Sequence, residues 1–152
     1  MKKLLFAGLA ASLTVAFALG ADIDPLGASA ENVKAAAPKS KVKRLGGLTP
    51  LAALDYMKTT PNLVIVEVNT NYWKLKTGFI GAMHIPHDEM EKRYNEIPQG
   101  RPVILHCGAG AVAPSAYETL AQKRPDIPEL SYIAGSPLIL EYNEWYRSTH
   151  SK

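Results

Sequence analysis

The chain holds one cysteine, Cys107, and its neighbours decide whether it can act as a nucleophile. Val103, Ile104, Leu105 and His106 precede it. Gly108, Ala109, Gly110, Ala111, Val112 and Ala113 follow, and then Pro114. An apolar run therefore ends on the thiol, a loop of small residues comes next, and a proline sits where it is well tolerated, in the first turn of a helix. Without bulk on the loop, the N–H groups of residues 108–113 can turn inward. A nest of amides backed by the positive end of a helix stabilises an anion. The anion would be a thiolate on Cys107 or a persulfide built on it. Cys107 is thus the candidate catalytic residue, and Gly108, Ala109, Gly110, Ala111, Val112 and Ala113 are the candidate binding residues. The same pattern suits a buried cysteine packed as a small hydrophobe, and the loop alone does not separate the two readings.

Other chemistry can be weighed against this. His106 beside Cys107 invites comparison with the His-Cys-x5-Arg loop of cysteine phosphatases. That mechanism needs an arginine to clamp phosphoryl oxygens, and Ala113 stands at the required position. Phosphatase and arsenate reductase chemistry are set aside on that ground. His106 reads as a strand-end residue, with proton exchange with the thiol as the other role open to it. His84, His87 and Asp88 lie around Pro86. Two histidines at a proline turn read as surface rather than as metal ligands, so no metal is expected. Tyr142, Trp145 and Tyr146 have helical spacing and read as core. Lys74, Lys76 and Arg93 read as solvated, or as one cation bordering the pocket.

The elements that must position Cys107 follow from periodicity and breakers. An edge strand is expected over 42–45. Thr49 caps a helix over 50–58 that begins with Pro50, and Pro61 and Asn62 break it. Residues 63–68 are β-branched and apolar throughout, the mark of a strand buried on both faces. A helical turn is expected over 72–76, a short strand over 82–85, and a charged helix over 88–96 closed by Pro98 and Gly100. The strand 103–106 feeds the cysteine, and a helix over 114–123 follows until Pro125. A last strand over 130–133 and a last helix over 138–147 complete the pattern. This alternation predicts an α/β domain over 42–148, with a mostly parallel central sheet and helices on both faces. In such sheets ligands sit beyond the carboxyl ends of the strands, which is where Cys107 falls.

The rest of the chain bounds the setting. Lys2 and Lys3 open a stretch that is apolar from Leu4 to Leu19, and small residues at Ala18 and Gly20 precede Ala21. That pattern is a secretory signal peptide over 1–20, with cleavage before Ala21. No stable membrane span is expected after cleavage, because the apolar run is short, and the destination is periplasmic or secreted. Residues 21–41 are rich in Ala, Ser, Pro and Lys and read as a flexible leader. The formal net charge is +3, two of whose positive charges lie in the signal. The remaining chain is nearly neutral and is no candidate for electrostatic nucleic-acid binding. One cysteine makes no internal disulfide, so a free thiol is carried into an oxidising compartment.

Several stretches together resemble the rhodanese (sulfurtransferase) family over roughly residues 45–146. The loop after Cys107 is similar to the Cys-Gly-Ser-Gly-Val-Thr loops of its mercaptopyruvate branch. Leu63, Val64, Ile65, Val66, Glu67, Val68 and Asn69 are similar to its buried strand ending in Asp-Val-Arg. The stretch from Gly78 through His84, Ile85 and Pro86 is similar to its Gly-His-Ile-Pro-Gly-Ala-x-Asn-Ile-Pro segment. Tyr132, Ile133, Ala134, Gly135 and Ser136, followed by Trp145, are similar to its late strand, Gly-Gly turn and tryptophan. The sequence departs from that pattern at Glu67 for aspartate, Asn69 for arginine, Trp73 for a glutamate partner, Val112 for arginine and Ser136 for glycine. With the ion pair lost from both sides, no orphan buried charge is expected. The resemblance implies a single rhodanese-like domain and sulfur transfer through a persulfide on Cys107. Thiosulfate, 3-mercaptopyruvate or polysulfide would be the donor. Cyanide, a thiol or a periplasmic protein would be the acceptor, and no cofactor would be needed. A second function, of a different class, is a non-catalytic rhodanese-fold module that binds a partner or carries sulfur.

Overall fold

The computed structural model describes residues 42–151. The expected signal peptide (1–20) and leader (21–41) lie outside the described residues. Five strands form one sheet: β1 (Lys43–Leu48), β2 (Val64–Glu67), β3 (Met83–His84), β4 (Val103–His106) and β5 (Glu129–Ile133). The helices are α1 (Pro50–Thr59), α2 (Met90–Arg93), α3 (Ala113–Lys123) and α4 (Ile139–His150). The strand order is β1-β5-β4-β2-β3, and every pairing is parallel. The α/β class and the parallel sheet expected from the sequence are both present.

The alternation of side chains along the strands explains the two layers. Val64, Val66, Val103, Leu105 and Leu130 face α3 and Met90 of α2, where Ala116, Leu120 and Ala121 meet them. Ile65, Ile104 and Ile133 face the other way, onto Ala53, Leu54 and Met57 of α1 and Tyr142 of α4. All four residues of β2 and of β4 are buried, as expected of central strands covered on both faces. On the α1 side, Thr49 caps its helix by accepting from the Ala52 N–H at 3.4 Å. On the α4 side, Asn143 clasps the segment before β3. Its Nδ2 donates to Gly78 O at 3.0 Å, and its Oδ1 accepts from the Ile80 N–H at 2.8 Å.

Three elements differ from expectation. β1 runs on to Leu48 because Gly46 and Gly47, which resemble a break, stay in the sheet. Gly46 takes φ +68° where the register with β5 shifts, and a Cβ on Gly47 would lie 2.8 Å from the Tyr132 ring. The charged helix expected over 88–96 is one short turn, α2, followed by a 3-10 turn at Tyr94–Glu96. Only Met90 of that stretch anchors α2 in the core. The turn expected over 72–76 is a 3-10 turn at Asn71–Trp73 with no buried residue.

The strand order carries the functional consequence. β2 and β4 are neighbours, yet the chain leaves β2 toward β3 on one side and leaves β4 toward β5 on the other. Loops that diverge this way open a crevice at the carboxyl edge of the sheet, the usual ligand position in open α/β sheets.

Candidate functional site

That crevice holds Cys107. The thiol lies one residue past β4, is 2% exposed, and forms part of the wall of a cavity of about 360 Å³. Of the expected binding residues, Gly108, Ala109, Ala111 and Val112 line the same cavity. Gly110 turns away from it, with φ +80°. A Cβ there would lie 2.6 Å from Gly135 N, so only glycine lets this loop meet the one after β5. Ala113 is fully buried in the core layer beneath. Helix α3 starts at Ala113, one residue earlier than expected, with Pro114 in its first turn and no side chain capping it.

The loop after β2 supplies the facing wall. Asn69, Thr70, Trp73 and Leu75 line it, and Trp73 is 70% exposed at its rim. The Gly108 N–H donates to Asn69 Oδ1 at 3.3 Å. One amide of the expected nest is therefore already engaged. Asn69 Nδ2 in turn donates to Glu67 Oε1 at 3.2 Å, and the Leu75 N–H donates to the same oxygen at 2.8 Å. This chain of bonds joins the β2 and β4 loops without an arginine. The ion pair absent from Asn69 and Trp73 is a separate matter from Glu67, which is buried on its own account. Glu67 is 4% exposed and has no cationic partner among the described residues. A buried acidic side chain has been kept, held by two N–H donors.

His106 and Cys107 face opposite sides of the sheet. His106 pairs in register with Glu67 and packs edge-on against Phe79, with ring centroids 4.7 Å apart. It is fully buried, and neither ring nitrogen meets a hydrogen-bond partner among the described residues. Burial pushes its pKa from 6.5 down to about 4, against the opposing pull of Glu67. A neutral ring on the far face, outside the cavity wall, does not exchange protons with the thiol.

The histidine that does reach the cavity is His87. The sequence alone places it at the surface. A signal was present, because His87 lies three residues beyond β3 and loops after parallel strands share one edge. Lys74 and Lys76 are exposed and off the cavity wall. Arg93 is bound to Glu89 and Glu96, at 2.7 Å each, and is off the wall as well. The cavity lining among the described residues therefore carries no lysine, arginine or carboxylate.

A second hollow, of about 580 Å³, lies at the opposite edge of the sheet between residues 57–63 and α4. Tyr142, Trp145 and Tyr146 line it while also packing on the core. His150 stacks on Tyr146 with ring centroids 4.1 Å apart. No cysteine lies there. Among the described residues no group of three or more His, Cys, Asp or Glu side chains is placed to hold a metal ion. No helix among them is long and apolar enough to cross a membrane.

No family model and no curated protein matches the chain. Solved structures similar to it include a rhodanese-related protein from Thermoplasma volcanium, at 14% identity and TM-score 0.49, covering 65% of this chain and 91% of that one. A rhodanese homolog from Thermus thermophilus is 19% identical at TM-score 0.45, covering 60% and 96%. A rhodanese with anions from E. coli is 23% identical at TM-score 0.41, covering 48% and 85%. Likeness at this level concerns the arrangement of strands and helices and assigns the chain no activity.

Proposed function

We propose that the protein is a sulfurtransferase of the rhodanese type that carries sulfane sulfur as a persulfide on Cys107. The observation that carries this reading is the position of the only thiol. It forms part of the wall of a ligand-sized cavity at the β2/β4 switch point, ahead of an uncapped helix start. Cys107 attacks the outer sulfur of a donor, the bond to the donor's remainder breaks, and the persulfide stays on the protein. N–H groups of the loop after Gly108 and the first turn of α3 hold the charge on sulfur. An external nucleophile, either a small thiol, cyanide or a partner protein, then takes the sulfur. Release is intermolecular because the chain has no second cysteine to resolve it.

The cavity lining bears on the donor. Thiosulfate is a dianion, and holding it well takes fixed positive charge as well as amide dipoles. With no cationic side chain on the wall, donors such as 3-mercaptopyruvate or a polysulfide should outperform thiosulfate in kcat/KM. The basic start and apolar stretch at 1–20 support placing this reaction outside the cytoplasm, and the mature chain should begin at Ala21.

Mass spectrometry after incubation with polysulfide tests the reading. A gain of one sulfur that cyanide removes is expected. An unmodified thiol, with thiocyanate formation at background, would instead favour a rhodanese-fold binding module without turnover.

A further inference from the structure

The hollow of about 580 Å³ between residues 57–63 and α4 lies away from Cys107 and has no part in the proposed sulfur transfer. Its volume is in the usual range for small-molecule sites. Tyr142, Trp145 and Tyr146 form one wall. Their spacing of three and four residues puts the rings on one face of α4. Ring centroids are 5.5 Å apart for Tyr142 and Trp145, 6.0 Å for Tyr142 and Tyr146, and 6.5 Å for Trp145 and Tyr146. His150 extends the row by stacking on Tyr146. The facing wall is the last turn of α1 and the turn into β2. That turn is held in shape. Asn62 takes a left-handed φ of +56°, and Arg101 donates from Nε to Asn62 O at 2.7 Å and from Nη2 to Leu63 O at 3.3 Å.

The lining is rich in unspent donors. Trp145 and Tyr146 accept hydrogen bonds from Ser148, Thr149 and His150 through backbone carbonyls only. The Trp145 Nε1–H and the Tyr142 and Tyr146 hydroxyls meet no hydrogen-bond partner among the described residues. Burial, and then the neighbouring Tyr146, push the Tyr142 hydroxyl above its usual pKa, so it keeps its proton. Lys58 is half-buried in the last turn of α1 and forms no ion pair among the described residues. Its ammonium already answers the partial negative charge of that helix end, so a free cation finds no place here. No Asp or Glu lines the hollow.

We propose that this hollow binds a planar aromatic carboxylate, its ring laid on the aromatic face of α4 and its carboxylate held by Lys58. A flat ring gains contact with Trp145 and Tyr146 that an aliphatic chain does not. The carboxylate gains a charge-assisted bond from the one lysine on the wall. Neither group depends on the chemistry of Cys107.

Naphthalene-2-carboxylate is the probe. The chain has two tryptophans, Trp73 beside Cys107 and Trp145 in the hollow. Their indole N–H signals in a nitrogen-15 spectrum are told apart with Trp73→Phe. Titration should move the Trp145 signal to saturation and leave that of Trp73 in place. Cyclohexanecarboxylate, with the same charge and no flat ring, should bind about tenfold more weakly. Lys58→Met should weaken naphthalene-2-carboxylate about tenfold, the low end for a charge-assisted contact that is partly open to water. It should leave the neutral 2-naphthalenemethanol unaffected, which also shows that the variant keeps its hollow. Lys58→Arg, which keeps the charge, should bind the acid within about threefold of the unaltered protein. A Trp145 signal that does not saturate, or a Trp73 signal that moves as much, would overturn the proposal. So would an equal effect of Lys58→Met on the acid and the alcohol.

Discussion

The last residue of β4 and the one after it meet opposite environments. His106 turns toward α1 and α4, where Phe79 covers it and no partner reaches its nitrogens. Cys107 turns toward α3 and opens on the cavity. The two are adjacent in sequence but separated by the sheet, because successive side chains on a strand point to opposite faces. His87, distant in sequence, is the imidazole on the thiol's side. In a parallel sheet, residues that share a site come from the ends of different strands rather than from neighbours along one.

The sharpest way to break this comparison is to change each neighbour separately. Cys107→Ser should abolish the cyanide-labile gain of sulfur, since a hydroxyl does not hold sulfane sulfur. The chain should stay folded, with a loss of about 1–3 kcal/mol if the new hydroxyl finds no partner. His106→Leu should leave persulfide formation within about 1 kcal/mol of the original barrier. Mass spectrometry and denaturant unfolding read both outcomes. A large loss of transfer in the His106 variant, with the fold intact, would mean that the two faces are chemically coupled.

The second effect is on stability and belongs to the His106 face alone. Its pKa is lowered from 6.5 to about 4 in the fold, so the unfolded chain binds the proton more tightly. Stability from this residue is complete above about pH 6.5 and falls as pH drops toward 4, below which its loss is constant. The shift corresponds to about 3 kcal/mol at 1.36 kcal/mol per unit. Unfolding free energies at pH 7 and pH 4 should therefore differ by about that much more in the original protein than in His106→Leu. Equal differences would show that the ring is not held neutral.

The sequence made the frame of this site readable and left its walls obscure. The β4 boundaries, the proline-led helices and the position of Cys107 at a strand end follow from local signals: an apolar run, a cap at Thr49, prolines in first turns. These depend on near neighbours. The strand order β1-β5-β4-β2-β3 depends on pairings between segments far apart in the chain, and the role of Asn69 as a clasp on Gly108 on residues 39 positions apart. The sequence places His87 at the surface because its own segment gives no reason to bury it. The reason lies in Val68 and in the Cys107 loop. The donors that hold Glu67 are not legible in the sequence either, because a peptide N–H such as that of Leu75 leaves no side-chain signal.

A third effect separates the cavity from its lack of charge. Val112 lines the wall beside Cys107. Val112→Arg, with the guanidinium directed inward, should raise thiosulfate kcat/KM relative to a polysulfide by roughly ten- to a hundredfold, the worth of a charge-assisted contact of about 1.5–3 kcal/mol. Steady-state kinetics with a common acceptor measures the ratio. A tenfold preference for thiosulfate in the unaltered protein would contradict the argument from charge and point to Lys74 or Lys76 moving onto the rim.

The smallest effect concerns the rim itself. Trp73 is 70% exposed, and its ring meets Tyr72 edge-on with centroids 4.9 Å apart, so the indole is held on one edge only. Two exposed aromatic rings beside an otherwise small-residue cavity offer area that a bound organic donor can cover. Covering about 40 Å² of indole at about 25 cal/mol per Å² gives about 1 kcal/mol, or roughly a fivefold change in affinity. The contact lies away from the reacting sulfur and is made equally before and during transfer, so it is uniform binding. Trp73→Ala should therefore raise KM about fivefold for an aryl donor, and change KM little for inorganic polysulfide, which has no ring to place there. kcat should move less than KM in both cases. An equal rise in KM for both donors would show that Trp73 orders the loop after β2 rather than contacting the donor. The hydrogen bond from the Leu75 N–H to Glu67 would then be the link to examine next.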